Sequence, residues 1–405
     1  MPSVLRILTL VLCISPALAA EPTWQNIGPG GGSDLHFLAI HPENADIIYV
    51  SGDIEGIFKS VDAGISWQNI NGNLAHGSYG ADAYFTNDIV IDPNNHERIY
   101  LPTSTGLFVS DVGGDTWRLL YPSAIATEDD NIPVATVAVH PTNSDVLLAG
   151  LGNGADGSEA DFAPFATYDG MTGLLSSTDQ GATWQEVETG LSDGISIYSI
   201  AYNPAAPQHV LMATGAGVYR SEDGGSSWRT SNSGLPHTTC HRMVGRTIDG
   251  QFHVVLTLKV LGTAGDAASH SGGIFRSLDG GATWSDITGD LPRYDADNDL
   301  FYDFWQFDVH PDDSDIIYVA TVRGSRFEGS GIFATWDGGA TWDHLYTPAA
   351  GGWMEPSWFF DPYAFDLKIA PSNPNRVVIS GDRVDLTDDG GDTWSQRYTT
   401  SVGSA

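Results

Sequence analysis

Lysine is almost missing from this 405-residue chain: Lys59, Lys259 and Lys368 are the only three. Together Lys and Arg number 17 against 51 Asp and Glu, a formal net charge of −34. A chain this acidic has no basic footprint with which to neutralise phosphates, which excludes unaided nucleic-acid binding. It argues equally against adhesion to an anionic membrane surface. Cysteine is as scarce, with only Cys13 and Cys240. No apolar run approaches the roughly 20 residues of a membrane span. No stretch carries a helical period; the apolar residues come in short runs cut by Gly and Pro, which means all-β structure. What is present is a 41% apolar fraction, enough for a core, with 47 Gly and 12 Trp.

The first twenty residues read as a targeting device. Arg6 precedes the apolar run Ile7 to Ile14, and Ala17-Leu18-Ala19 makes a small-x-small cleavage site. The expectation is a signal peptide over 1–20 and a secreted or periplasmic product, with residues 21–405 forming one domain. Cys13 leaves with the signal, so Cys240 remains as a lone thiol and no intrachain disulfide is expected.

One pattern then recurs seven times. Its copies run Ser60-Val-Asp62-Ala-Gly64-Ile-Ser66-Trp67, Ser110 to Trp117, Ser177 to Trp184, Ser221 to Trp228, Ser277 to Trp284, Thr335 to Trp342 and Thr387 to Trp394. Their tryptophans lie 50, 67, 44, 56, 58 and 52 residues apart, the size of a four-stranded propeller blade. Hydroxyl and carboxylate side chains can accept backbone N–H bonds inside a tight turn, the Gly supplies a positive φ, and the Trp anchors the strand that follows. In the second copy Val112 stands where the Asp belongs, which predicts a turn less well tied. The pattern resembles the Asp-box, or BNR, repeat. The fold expected is a seven-bladed β-propeller of four-stranded antiparallel blades. The box residues are expected to be structural, because the same turn occurs in hydrolases, receptors and assembly factors.

Each unit opens with an apolar strand that ends in a turn such as His41-Pro42, Asp92-Pro93, His310-Pro311 or Ala370-Pro371, except the fifth, which uses Asp249-Gly250. Trp24-Gln25-Asn26-Ile27 repeats Trp67-Gln68-Asn69-Ile70. This makes eight outer strands for seven sets of inner ones and leaves the ring closure open. The tail after Thr399 keeps open a longer natural chain.

Long irregular loops are expected on one face only: Asn71 to Asn87, Leu151 to Gly173, Val260 to Gly272, Pro292 to Asp303, Val322 to Ser330 and Tyr346 to Pro362. Loop elaboration confined to one face is how a propeller carries a site. Trp305, Trp353, Trp358 and Tyr363 lie in or beside these loops among carboxylates, a mixture suited to sugar rings, and Arg323 and Arg383 are the basic residues at the same face. The alternative is that the rings pack the loops down as satellite clusters. Asp295, Asp297 and Asp299 place oxygens at alternate positions like the start of a calcium loop, but without the Gly and the closing Glu; a solvated acidic loop is the favoured reading, and no cofactor is expected.

The opening Trp24-Gln-Asn-Ile27, the run Gly30-Gly31-Gly32 and the segment Gly52-Asp53-Ile54-Glu55-Gly56-Ile57-Phe58-Lys59 resemble the N-terminal propeller of glycoside hydrolase family 74, the xyloglucan-active endoglucanases. That resemblance implies a catalytic carboxylate at Asp53. Two departures stand out: Glu55 replaces a Gly, and the family builds its cleft between two propellers. Within this chain Ser51-Gly52-Asp53 recurs as Ser380-Gly381-Asp382, and blades one and seven are neighbours in a closed ring. Asp53 as base with Asp382 or Glu55 as acid is the catalytic expectation; the competing one is that both aspartates cap strand-end turns. The substrate expected is a neutral polysaccharide or oligosaccharide of the β-glucan or xyloglucan type. The alternative function is a non-catalytic propeller that binds protein, as sortilin-type receptors and assembly factors do. A sialidase, which would need an arginine triad, and a polysaccharide lyase are weaker readings.

Overall fold

The structure is a computed structural model. It describes residues 35–52, 56–75, 86–123, 132–152, 172–263, 266–295, 300–323, 328–346, 364–381 and 383–399. The Trp24–Ile27 segment lies outside these residues.

Seven antiparallel sheets form the ring, and each is built from strands consecutive in sequence. The blades span 35–69, 90–121, 134–187, 197–230, 240–286, 294–346 and 364–399. Six have four strands; the sixth gains a fifth, Tyr294–Asp295, on its inner edge. Because every blade is sequence-contiguous, the seventh supplies its own outer strand, Ser395–Thr399. Among the described residues the ring therefore closes without an exchanged strand. Its closing seam is a full hydrophobic interface in which Leu38, Ile40, Val50 and Phe58 of blade 1 pack with Ala370, Val378, Val384 and Leu386 of blade 7. Arg376 of blade 7 reaches across it to Asp46 at 2.6 Å.

The repeated turns are near copies of one another. Gly64 N donates to Ser60 Oγ at 2.8 Å. Asp62 Oδ1 accepts the Ser60 hydroxyl and the Ser66 N–H, each at 2.8 Å, and Oδ2 accepts the Ser66 hydroxyl at 2.6 Å. The same bonds recur around Asp179, Asp223, Asp279, Asp337 and Asp389. Hydrogen bonding to the charged form holds Asp279, Asp337 and Asp389 down at about 2. Around Val112 only the Ser110 bonds to Val112 N and Gly114 N remain, as expected for a turn without its acid.

The tryptophans staple each blade to the one before. The indole N–H of Trp117 donates to Ile70 O, that of Trp284 to Ser231 O and that of Trp342 to Ile287 O, at 2.8, 2.8 and 3.2 Å. Trp394 instead stacks on Tyr346 of blade 6, centroids 4.9 Å apart and planes 13° from parallel. At the same end of the blade as its repeated turn, the fifth unit makes its first hairpin through Asp249 and Gly250, both in the left-handed region with φ of 51° and 75°. Two positive φ values in a two-residue loop are the signature of a type I′ turn.

Candidate functional site: the loop-bearing face

The inner strands start on the face opposite the repeated turns and run down the ring axis. Near the upper end of each stands one residue of a common set: Phe37, Asp88 (just before its strand), Thr136, Ser199, Arg242, Gln306 and Asp366. The register shifts at Leu35/Phe37, Ile197/Ser199, Cys240/Met243, Phe304/Gln306 and Ala364/Asp366, and the shift at Gly150/Leu151 opposite Thr136 and Val134, place a bulge at the same level in six of the blades. The bonds among these residues reach across blades. Arg242 of blade 5 contacts Gln306 of blade 6 and, at 3.4 Å, Asp366 of blade 7.

Asp366 is the hub. Its side chain is 1% exposed, and it accepts Leu38 N of blade 1 at 2.9 Å and Leu367 N at 2.8 Å. It also takes Lys368 Nζ at 2.6 Å on both oxygens. Asp308 repeats the arrangement one seam earlier, accepting Ile369 N of blade 7 at 3.0 Å and the Arg246 guanidinium at 2.5 Å. Burial, with the neighbouring Arg242 charge, lowers Lys368, while Asp366 and Asp308 oppose the shift. Burial raises the Asp88 carboxyl against the pull of Arg242 and Lys368. The axis is thus lined by a self-compensating polar network that locks neighbouring blades together. This network was not foreseen from the sequence. Its only signal is the alternation Asp366-Leu-Lys368 and Gln306-Phe-Asp308 within strands otherwise apolar.

Two strand ends that precede residues singled out by sequence reach this face. The second strand of blade 1, Ile48–Gly52, and that of blade 7, Asn373–Gly381, both end on this face, on adjacent blades. Gly52 pairs with Gly56, and Gly381 with Ala364. Asp53, Glu55 and Asp382 themselves lie outside the described residues, as do Trp353, Trp358, Tyr363, Asp297 and Asp299. Trp305 and Arg323 fall in strands, Leu300–Val309 and Ile317–Arg323, and Asp295 in the short strand Tyr294–Asp295. Among the described residues no group of three or more His, Cys, Asp or Glu is placed to hold a metal.

Arg383 is described in full. It is 8% exposed; its Nε donates to Asp385 Oδ2 at 2.7 Å and its Nη2 to the Tyr346 hydroxyl at 2.8 Å. The Tyr346 O–H in turn donates to Asp385 Oδ2 at 3.0 Å. Burial raises the Asp385 carboxyl and pushes the Tyr346 phenol up to about 12. These bonds tie the guanidinium to the blade 6–7 seam, where it braces the strand that begins one residue after Asp382.

Three of the segments read as irregular loops are largely strand. Val260 to Gly272 is the top of a hairpin between Gln251–Thr263 and Asp266–Ser277. Pro292 to Asp303 contains the Tyr294–Asp295 strand and the start of Leu300–Val309. Val322 to Ser330 adds the pair Arg323 and Glu328 to its own hairpin. Their polar composition hid strands whose second face meets water. His241 of this region is buried, its Nε2 3.5 Å from Asp303 Oδ1.

No protein-family model matches the chain. A xyloglucanase of Hypocrea jecorina is 23% identical over 428 residues, covering 94% of this chain and 46% of that protein. The chain thus spans less than half the length of this relative. The crystal structure of the GH74 xyloglucanase from Xanthomonas campestris superposes with a TM-score of 0.69 at 16% identity, over 93% of this chain and 56% of that one. A structure of YCF48 bound to D1 peptide matches with a TM-score of 0.52 at 14% identity, over 95% of this chain and 99% of that one. These structural likenesses carry the fold: a seven-bladed propeller.

Proposed function

We infer that this propeller binds a neutral β-glucan of the xyloglucan type on its loop-bearing face and hydrolyses it, as an exported protein released from a 1–20 signal peptide. The observation that carries this reading is an alignment with a xyloglucanase over 94% of the chain. It is joined by two Ser-Gly strand ends, each followed by an aspartate, on adjacent blades of one face. In the mechanism Asp53 is the base and Asp382 or Glu55 the acid. The acid protonates the glycosidic oxygen as the bond breaks, while the base removes a proton from the attacking water. A separation of about 6.5–9.5 Å between the carboxyls gives inversion of the anomeric centre; about 5–5.5 Å would make Asp53 a nucleophile and give retention. Arg383, next in sequence to Asp382, is braced against Asp385 and Tyr346. Trp305, Trp353, Trp358 and Tyr363 supply stacking faces for the sugars, and Arg323 a hydrogen-bond donor. The charge of −34 favours a neutral glycan over a uronate or sialate.

Incubation of the purified chain with xyloglucan, barley β-glucan and polygalacturonate tests this. The reading requires new reducing ends from one of the first two and none from the third. A second reading, a propeller that binds a protein segment, is favoured by the end-to-end match to peptide-bound YCF48. Absence of any hydrolysis, with capture of a defined peptide from exported material, would select it.

A further inference from the structure

Blades 5 and 6 stand taller than their neighbours. The second strands of blades 1 to 4 have five residues each, Ile48–Gly52, Ile99–Thr103, Leu147–Leu151 and Val210–Thr214. In blade 5 the second strand, Gln251–Thr263, has 13 residues and the third, Asp266–Ser277, has 12. Their pairing continues past Leu258 and Gly273 to Leu261 with Ser271 and Thr263 with Asp266. Blade 6 answers with its own added hairpin, in which Tyr294 pairs with Phe301. Both extensions rise on the loop-bearing face.

They meet through three rings. His270 of blade 5 lies 5.1 Å from Tyr294 and 5.2 Å from Phe301 of blade 6, centroid to centroid, and Tyr294 lies 5.1 Å from Phe301. All three are only half-buried. His270 Nε2 sits 3.2 Å from Thr263 O, which fixes the ring at the hairpin tip. The rim is polar: Thr263 and Asp266 are exposed, and Asp303 is 23% exposed. Hairpin tips have no core beneath them, so partly exposed rings there leave apolar area facing water unless something covers it. Apolar ring faces edged by carboxylates and hydroxyls suit a pyranose, whose C–H face stacks while its hydroxyls donate to the rim.

We propose that the paired hairpins of blades 5 and 6 form a platform for a neutral β-linked sugar unit, centred on His270, Tyr294 and Phe301 and distinct from the strand ends of blades 7 and 1. This rests on the glycan reading and deepens it. A ligand that meets both places must cross the face from blade 7 to blade 5, so the ligand is a polymer and not a disaccharide. Anionic sugars are disfavoured at this rim of aspartates.

Titration calorimetry with cellobiose, cellohexaose and a xyloglucan heptasaccharide tests the platform. Wild type should bind the longer ligands at least about tenfold more tightly than cellobiose. Tyr294→Ala should weaken the longer ligands about tenfold, the size of one aromatic contact, and leave cellobiose unchanged, while Tyr294→Phe keeps wild-type affinity. Asp266→Ala, at an exposed site whose change leaves the blade folded, repeats the test if Tyr294→Ala misfolds. Unchanged affinity in these variants, or no binding by wild type, overturns the platform. A wild type that binds but never cleaves refutes the hydrolase reading and leaves the platform standing; cleavage and binding untouched by Tyr294→Ala refute the platform alone.

Discussion

On one face of the ring Ser60, Asp62 and Gly64 could be exchanged for Ser277, Asp279 and Gly281 with hardly a change in hydrogen bonding. On the other face the five-residue strands of blades 1 to 4 give way to the tall hairpins of blades 5 and 6. The first face repeats because each turn solves the same local problem, satisfying backbone N–H groups at a reversal. The second varies because nothing local constrains it, and there the chain can acquire a ligand. Between them runs the axis, where charges that a surface would leave solvated are buried and paired.

The sharpest way to break this division is at the axis. Asp366→Ala removes the acceptor of Leu38 N and leaves the half-buried Lys368 without its close carboxylate. The expected loss is about 3–5 kcal/mol, read from urea midpoints. A repeat turn is worth less. Asp279→Ala, which deletes bonds to Thr283 N and its hydroxyl at 2.9 and 2.6 Å, should lower stability by about 1–2 kcal/mol. The converse substitution, Val112→Asp, should gain about 0.5–1 kcal/mol by supplying the one missing acid.

Acid separates the two regions as well. Burial holds His36, at the start of an inner strand, down to about 4 from 6.5. Between those values the unfolded chain binds a proton that the folded one refuses, so stability falls as pH drops from 6.5 to about 4. The aspartates of the repeat turns act lower. With Asp279, Asp337 and Asp389 at about 2 and their ordinary value 3.8, their contribution is complete above 3.8 and disappears as pH falls towards 2. Melting temperatures across pH 2–8 should show both steps, and His36→Gln should flatten only the upper one. The smallest expected effect is at Ala63, whose φ of 59° lies where the second turn has Gly113 and the fourth Gly224. Ala63→Gly should stabilise, by less than about 1 kcal/mol once the extra freedom of the unfolded Gly is counted.

The repeated turns were legible because sequence spacing and turn chemistry are the same information: seven Ser/Thr-x-x-x-Gly-x-x-Trp segments prescribe seven reversals. The Asp249-Gly250 hairpin was legible for the same reason. The closing seam was not, because it depends on how residues more than 300 positions apart meet, as Leu38 and Asp366 do. The partners of Arg383 were not legible either, since Tyr346 and Asp385 become its neighbours only when blades 6 and 7 pack. The meeting of His270 with Tyr294 and Phe301 was not legible because polar hairpin extensions carry no apolar alternation.

The central claim, that the strand ends of blades 1 and 7 carry a glycan-cleaving site, is tested most directly by following reducing ends released from xyloglucan by wild type and by Asp53→Ala. The account predicts measurable release by wild type and a fall of about 10²–10⁴-fold in kcat for the variant, with oligosaccharide affinity kept. Full activity in Asp53→Ala would contradict it.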